Sequence, residues 1–202
     1  MERFGFIIHP LEAKDVARKY SIARNLSDAW IERIIRYLPP RKVSHITGIR
    51  SATGVEAEGW FVGCTLTSRQ MLTLPQHFVY KRIIQAAQKA AELGAKVVGL
   101  GAFTSVVGDG GITVAKYAGV PITTGNSYTV ATALQGLEKA AEAMGVDLAR
   151  AQVAVLGATG SIGSACARIL ASRVGRLVLM GRDTRRLAQV AEQVEDEGGS
   201  RP

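Results

Sequence analysis

The chain has 202 residues, 47% of them hydrophobic and 21% charged, with a formal net charge of +8. That balance supplies material for a core, and it excludes a disordered polyelectrolyte, a chain with a bilayer-spanning apolar run and a disulfide scaffold, since there are only two cysteines. The opening "MERFGFIIHP" has no small-residue cleavage site, so no signal peptide is expected and a reducing cytoplasm is the expected compartment. Residues 1–50 carry ten Lys/Arg against five Asp/Glu. These cations are scattered and not interleaved with aromatics, so no nucleic-acid partner is expected, while an acidic protein partner stays open.

The predicted elements run in a regular order. Phe4 to Ile8 is a short apolar strand, and a helix follows with Val16 and Ala17 on its apolar side. Residues 28–38 place Trp30, Ile31, Ile34, Ile35 and Leu38 at helical spacing, capped by Ser27 or Asp28 and stopped by Pro39-Pro40. The Trp30/Ile34/Leu38 stripe is expected in the core, with an apolar ligand groove as the competing role. "KVSHITGIRSATGVEAEGWFVGCTL" reads as a β-hairpin turning at "SATG". A long helix spans about Pro75 to Leu93, with Gly94 as its stop. "AKVVGLGAF" is a buried strand, "DGGITVAKYAG" a short helix, "VPITTG" a strand, and a helix runs from Ser127 towards Gly145. Strands alternating with helices predict an α/β fold with a sheet that is parallel in part. A boundary near residues 145–152 divides an α/β substrate domain, 1–148, from the start of a Rossmann NAD(P)-binding domain, 149–202. The charged tail "EQVEDEGGSRP" is expected to fray at its end.

The densest signal is late. "GATGSIG" is Gly157-x-x-Gly160-x-x-Gly163, between the apolar strand Gln152 to Leu156 and a helix predicted from Ser161 to Val174. Gly157 permits the tight turn, Gly160 lets the backbone approach a pyrophosphate, and Gly163 lets helix and strand pack closely. The helix start offers free N–H groups to phosphates, so Thr159, Ser161 and Ile162 join the three glycines as predicted cofactor-binding residues. A strand–turn–helix setting followed by the second strand "RLVLMGRD" makes the triplet specific. At that strand's tip stands Arg182, which suits the 2′-phosphate of NADP(H); Asp183 beside it keeps NAD open.

The pieces "FGFIIHPLEAKDVARK", "SATGVEAEGWFVGCTL", "GLGAFTSVVGDGG", "PITTGNSYTVATAL" and "VDLARAQVAVLGATGSIGSA" resemble, in the same order, the long-chain acyl-[acyl-carrier-protein] reductase family and its relatives of the shikimate-dehydrogenase and glutamyl-tRNA-reductase type. The resemblance implies an N-terminal α/β substrate domain before a Rossmann domain. It also implies NADPH-dependent reduction of a fatty acyl thioester, on an acyl carrier protein or coenzyme A, to an aldehyde. It places the family's acyl-carrying cysteine beyond residue 202, so the chain is expected to be the front part of a longer enzyme, inactive by itself.

"GAFTS" and "TTGNSYT" end two predicted strands, where ligands of open α/β sheets bind. Thr104, Ser105, Thr124, Gly125, Asn126 and Ser127 are therefore candidate substrate-binding residues, with turn and cap chemistry as the competing role. Cys64 reads as a small buried apolar residue and not a nucleophile, and Cys166 as packing. His9, His45 and His77 lack metal spacing, although His9 stands where it could line a cleft. Asp109 and Lys116 are the nearest match to the Lys/Asp pair of a shikimate- or amino-acid-type dehydrogenase, the second functional class. A non-catalytic nucleotide-binding or interaction protein is the third.

Overall fold

A computed structural model of the chain describes residues 2–198. It has the α/β architecture expected, divided into two compact units, Met1–Thr124 and Gly125–Pro202.

The first unit is built on a five-stranded sheet of order β2-β3-β1-β4-β5, comprising β1 (Glu2–Ile8), β2 (Arg41–Arg50), β3 (Glu56–Gly63), β4 (Val97–Leu100) and β5 (Ile122–Thr123). Strands β3, β1, β4 and β5 are parallel, and β2 is antiparallel to β3 through the predicted hairpin. The register sets Ile7 beside Val62 and Leu100, so the buried side chains of neighbouring strands meet in rows. α4 (Gln76–Glu92) covers this face with Val79, Ile83, Ala86, Ala87 and Ala90. Its alanines allow close approach: a Cβ on Gly5 of β1 would lie 2.6 Å from that of Ala90. α3 (Ser68–Thr73) precedes α4, and α5 (Ile112–Ala118) follows β4.

α1 (Ala13–Lys19) and α2 (Asp28–Ile35) follow β1 and form a separate, small cluster through Ala13, Ala23, Ile31 and Ile35. Here the structure corrects the expected stripe. α2 buries Ile31 and Ile35, while Trp30, Ile34 and Leu38 are 57%, 44% and 38% exposed. The helix also ends at Ile35, three residues short of Leu38. α2 is held by Glu32, whose carboxylate accepts from Thr67 Oγ1 at 3.0 Å and pairs with Arg69, while its backbone carbonyl accepts from Gln70 Nε2 at 2.8 Å.

The second unit contains α6 (Asn126–Ala143), β6 (Gln152–Leu156), α7 (Ser161–Leu170), β7 (Arg176–Met180) and α8 (Thr184–Gly198). β6 and β7 pair in parallel from Gln152/Arg176 to Leu156/Met180. α6 contributes Val130 and Leu134 to the same core as Val155, Ala167 and Leu170. α7 stops at Leu170, short of Val174. Residues 192–198 continue α8 and bury Val194; the end of the tail, residues 199–202, where fraying is expected, lies outside the described residues.

Candidate functional site

The glycine turn is the part of the second unit that packing alone leaves unexplained. Gly157 has φ +82°, in the left-handed region that favours glycine, and its N–H donates to Met180 O at 2.8 Å. Ala158 N–H donates to the same carbonyl at 3.0 Å, which ties the turn to the end of β7. Gly163 is fixed by crowding: a Cβ there would lie 2.3 Å from Gly157 O. Gly160 has neither constraint. Its φ is −85°, and an added Cβ would meet only Gly157 O, at 3.4 Å. The protein's own packing therefore needs glycine at positions 157 and 163 and not at 160, which leaves room over the turn for a group from outside.

Gly160 is the N-cap of α7, and the first helical bond is donated by Ser164 to Gly160 O at 2.8 Å. The amides of Ser161, Ile162 and Gly163 precede it and have no intrahelical acceptor. Thr159 packs beneath, its Cγ2 standing 3.2 Å from where a Cβ of Gly181 would be. At the end of β7, Asp183 Oδ1 accepts from Arg186 N at 3.1 Å, and its other oxygen lies 3.7 Å from Arg186 Nε. Asp183 thus caps α8, and its neighbour Arg182 is exposed.

One of the predicted substrate residues reaches this turn. Asn126, at the start of α6, donates from Nδ2 to Ser161 Oγ at 2.9 Å. Gly125, the N-cap before it, has φ +75°; Ser127 is exposed and Thr124 half-buried. Thr104 and Ser105 serve their own turn instead. Thr104 is buried with its hydroxyl on Gly101 O at 2.7 Å, and Ser105 Oγ donates to Ala102 O at 2.7 Å. Asp109 is likewise engaged: its carboxylate accepts from the Thr113 hydroxyl at 2.6 Å and the Thr113 N–H, and the hydroxyl bond is the main force holding its pKa below the ordinary value. Lys116 lies over the Tyr117 ring at 5.5 Å. Among the described residues, no cluster of His, Cys, Asp and Glu gathers as a metal would require.

The two cysteines are poor nucleophiles. Cys64, one residue past β3, is buried; desolvation pushes its thiol up from about 9 to about 12, opposed by a backbone hydrogen bond from Leu66 and by Arg82. Cys166 is buried in the second unit's core, and burial raises its pKa too.

The first unit holds a cavity of its own. It measures about 580 Å³ and opens at the carboxyl ends of β1 and β3, beneath α1, α2 and the segment between them. Ile8, His9, Gly63 and Cys64 form its sheet side, and Val16, Ile22, Leu26, Ile31, Ile34 and Leu38 its helical side. It therefore includes two members of the stripe expected in the core.

No protein-family model matches the chain. Long-chain acyl-[acyl-carrier-protein] reductase of Synechococcus elongatus is 30% identical over 200 residues, covering 91% of this chain and 57% of that protein. Aminotransferase PigE of a Serratia species is 29% identical over 192 residues, covering 89% of this chain and 22% of that protein. The chain is distantly similar to both, and it spans little more than half of the first and about a fifth of the second. Among solved structures, an aspartate racemase homologue from Pyrococcus horikoshii superposes with a TM-score of 0.39 at 12% identity, over 94% of this chain and 69% of that one. A putative Asp/Glu racemase from Yersinia pestis gives 0.36 at 11%, over 98% and 82%. Likeness at that level carries no argument about function. No helix among the described residues is long and apolar enough to cross a membrane.

Proposed function

We propose that the chain is part of an NADP(H)-dependent oxidoreductase that reduces a fatty acyl thioester to an aldehyde. The observation that carries the nucleotide half is Gly160, a glycine for which backbone conformation and packing give no reason and which a pyrophosphate lying against the turn would require. The similarity to the Synechococcus reductase, extending over 91% of the chain, supports the acyl half.

The bound reduced nicotinamide would supply the hydride that converts the thioester carbonyl to an aldehyde as the thiol leaves. The residues at hand do the holding. The amides of Ser161, Ile162 and Gly163 face phosphate at the start of α7, where the helix dipole favours negative charge. Arg182 takes the 2′-phosphate in a charge-assisted pair, and Asp183, committed to capping α8, leaves that role to it. Asn126 fixes the Ser161 hydroxyl and with it the first residue of the phosphate-binding helix. Gly125, Ser127 and Thr124 lie in the same chain segment and are the candidates for polar contacts to substrate. Neither Cys64 nor Cys166 suits a nucleophile's role, since burial raises the pKa of both thiols. The basic N-terminal region suits an acidic acyl carrier protein as the donor of the thioester.

A chimera tests the reading: residues 1–202 replace the matching portion of the Synechococcus reductase, and NADPH-dependent aldehyde formation from an acyl-carrier thioester is measured. Aldehyde formation lost on Gly160→Val supports it. A folded chimera that binds NADPH and makes no aldehyde overturns the acyl assignment, and one that does not bind NADPH overturns both halves.

A further inference from the structure

The segment between β1 and β2 buries little of its own apolar surface. It folds as α1, a short 3₁₀ helix (Ser21–Asn25) and α2, and the core it builds is small: Ala13, Ala23, Ile31 and Ile35. Seven large apolar side chains between positions 20 and 38 are exposed, led by Ile22 at 81% and Tyr37 at 65%. Single exposed apolar residues are ordinary, but a gathered patch marks a surface that something covers. These residues are gathered. Tyr20, Ile22, Leu26 and Ile34 border one concavity. Trp30 lies one turn before Ile34 on α2, and Tyr37 N–H donates to Ile34 O at 3.2 Å, which sets it one turn after.

The charge around the patch is positive. Residues 11–42 hold eight Lys/Arg and four Asp/Glu. Three of those acids serve the fold: Asp15 accepts from the N–H groups of Leu11 and Glu12 and pairs with Arg18, Glu12 closes the capping box of α1, and Glu32 pairs with Arg69. The cations stand among the exposed rings instead. The Arg33 guanidinium lies 5.6 Å from the centroid of Trp30, and that of Arg36 lies 4.7 Å from the centroid of Tyr37. Lys19, the last residue of α1, and Arg41, the first of β2, border the same concavity and form no ion pair among the described residues.

Aliphatic, aromatic and cationic side chains in one patch match the levels of a bilayer surface: acyl chains, the interface where amphipathic rings settle, and headgroup phosphates. Lysine favours this occupant over a protein. Protein interfaces are depleted in lysine, a strongly hydrated point charge, whereas an anionic lipid surface supplies charge without fixed partners. Lys14, Lys19 and Lys42 are three of the eight cations. α1 and α2 have seven and eight residues, far too few to span a bilayer, so contact is confined to the surface.

We propose that the α1–α2 segment docks the protein peripherally on an anionic bilayer, with Ile22, Trp30 and Ile34 entering the interface and Lys19, Arg33 and Arg41 on lipid phosphates. The docking concerns the outer surface of the first unit and calls on neither nucleotide nor thioester, so it stands apart from the reductase reading.

The test is flotation of the 202-residue chain, without nucleotide or substrate, with vesicles of phosphatidylcholine containing about 30% phosphatidylserine. The chain should float with them, and binding should fall at least about tenfold on vesicles of phosphatidylcholine alone or in about 0.5 M salt. Trp30 emission should shift to shorter wavelength on binding; Trp60 is buried, so Trp30→Phe should abolish the shift. Ile22→Glu and Ile34→Glu should each weaken binding at least about tenfold, and since both side chains are exposed, both variants should keep the wild-type circular dichroism and melting curve. Ile112→Glu adds the same charge at an exposed site outside the segment and should bind as wild type. No vesicle binding overturns the proposal. So does salt-sensitive binding that all three glutamate variants share equally with an unmoved Trp30 emission, which is adsorption through the net charge of +8 alone. Absence of vesicle binding beside saturable binding of an apo acyl carrier protein, weakened by Ile22→Glu and Ile34→Glu, assigns the face to an acidic protein and overturns the bilayer.

Discussion

Asn126 Nδ2 and Ser161 Oγ lie 2.9 Å apart, joining the first turn of α6 to the first turn of α7. The two residues belong to the two most distinctive motifs of the chain, "TTGNSYT" and "GATGSIG", which are separated by 35 residues in sequence. The contact joins the starts of two helices whose N-caps are Gly125 and Gly160. It also orients the Ser161 hydroxyl, which stands beside the amides assigned to phosphate.

Removing either partner should therefore affect nucleotide binding as well as stability. Asn126→Ala and Ser161→Ala should each cost about 0.5–1.5 kcal/mol of stability, the net worth of a neutral hydrogen bond. The double variant should cost less than their sum. NADPH affinity, followed by calorimetry, should fall in both single variants. Strict additivity in stability together with unchanged affinity would reduce the contact to an incidental surface bond.

The glycines of the turn should separate fold from function. Gly163→Ala places a Cβ 2.3 Å from Gly157 O and should destabilise the second unit by several kcal/mol, seen as a large drop in melting temperature. Gly160→Val meets no such obstruction, since the nearest atom to its Cβ is 3.4 Å away. It should melt near wild type and lose NADPH binding. A Gly160→Val protein that still binds NADPH normally would show the turn to be architecture alone.

Much of this was legible in the sequence. β6 runs from Gln152 to Leu156, as its apolar run bounded by turn residues predicts, and Val155 carries it into the core. The β2–β3 hairpin and α4 followed from alternation and periodicity for the same reason. The cavity was not legible. α2 carries apolar residues at 30, 31, 34, 35 and 38, enough for two adjacent stripes, and periodicity cannot say which stripe meets the core. Ile31 and Ile35 pack against the small residues Ala13 and Ala23, and the other stripe is left facing open space. The roles of Thr104 and Ser105 were equally ambiguous, because a hydroxyl at a strand end suits a ligand or its own turn; in the structure each donates to its own turn, at Gly101 O and Ala102 O. α6 looks like any helix following a strand, and its pattern alone does not say which core receives Val130 and Leu134.

Arg182 should decide between the two dinucleotides. Arg182→Ala should weaken NADPH by about 1.5–3 kcal/mol, the worth of a charge-assisted pair, and leave NADH nearly unchanged. The backbone should be unaffected, since the side chain is exposed and the cap of α8 belongs to Asp183. Equal losses for both cofactors would remove the 2′-phosphate assignment.

Glu32 supports the cavity from behind. Its carboxylate pairs with Arg69 and Thr67, which holds α2, and hence Ile31, Ile34 and Ile35, against the α3 segment. Glu32→Ala leaves Thr67, a fully buried residue, without its acceptor. A loss of about 2 kcal/mol in the stability of the first unit is expected, below the cost of breaking a fully buried pair because Arg69 is largely solvent-exposed. Chemical denaturation followed at Trp30 and Trp60 reads this unit selectively, since both tryptophans of the chain lie in it. An unchanged midpoint would mean that α2 is held by its apolar contacts alone.

Cys64 makes an alkaline prediction. Burial holds its thiol neutral up to about 12, against about 9 when exposed, so the folded state binds a proton that the unfolded state releases between those values. The stabilisation is complete below about pH 9 and is lost as pH rises towards 12, so the first unit should weaken steeply over that window. Cys64→Ala should flatten this limb and leave the profile near neutrality parallel to wild type, displaced only by the small cavity the substitution leaves. The same protonation state bears on chemistry. A thiol held neutral is a weak nucleophile, and Cys166, also buried with a raised pKa, is no better. The 202-residue chain supplied with NADPH and a long-chain acyl thioester should form no aldehyde at neutral pH, and alkylating reagents should label Cys64 slowly in the native state and rapidly in denaturant. Aldehyde formation abolished by Cys64→Ala, or rapid native labelling of Cys64, would contradict the burial that both expectations rest on.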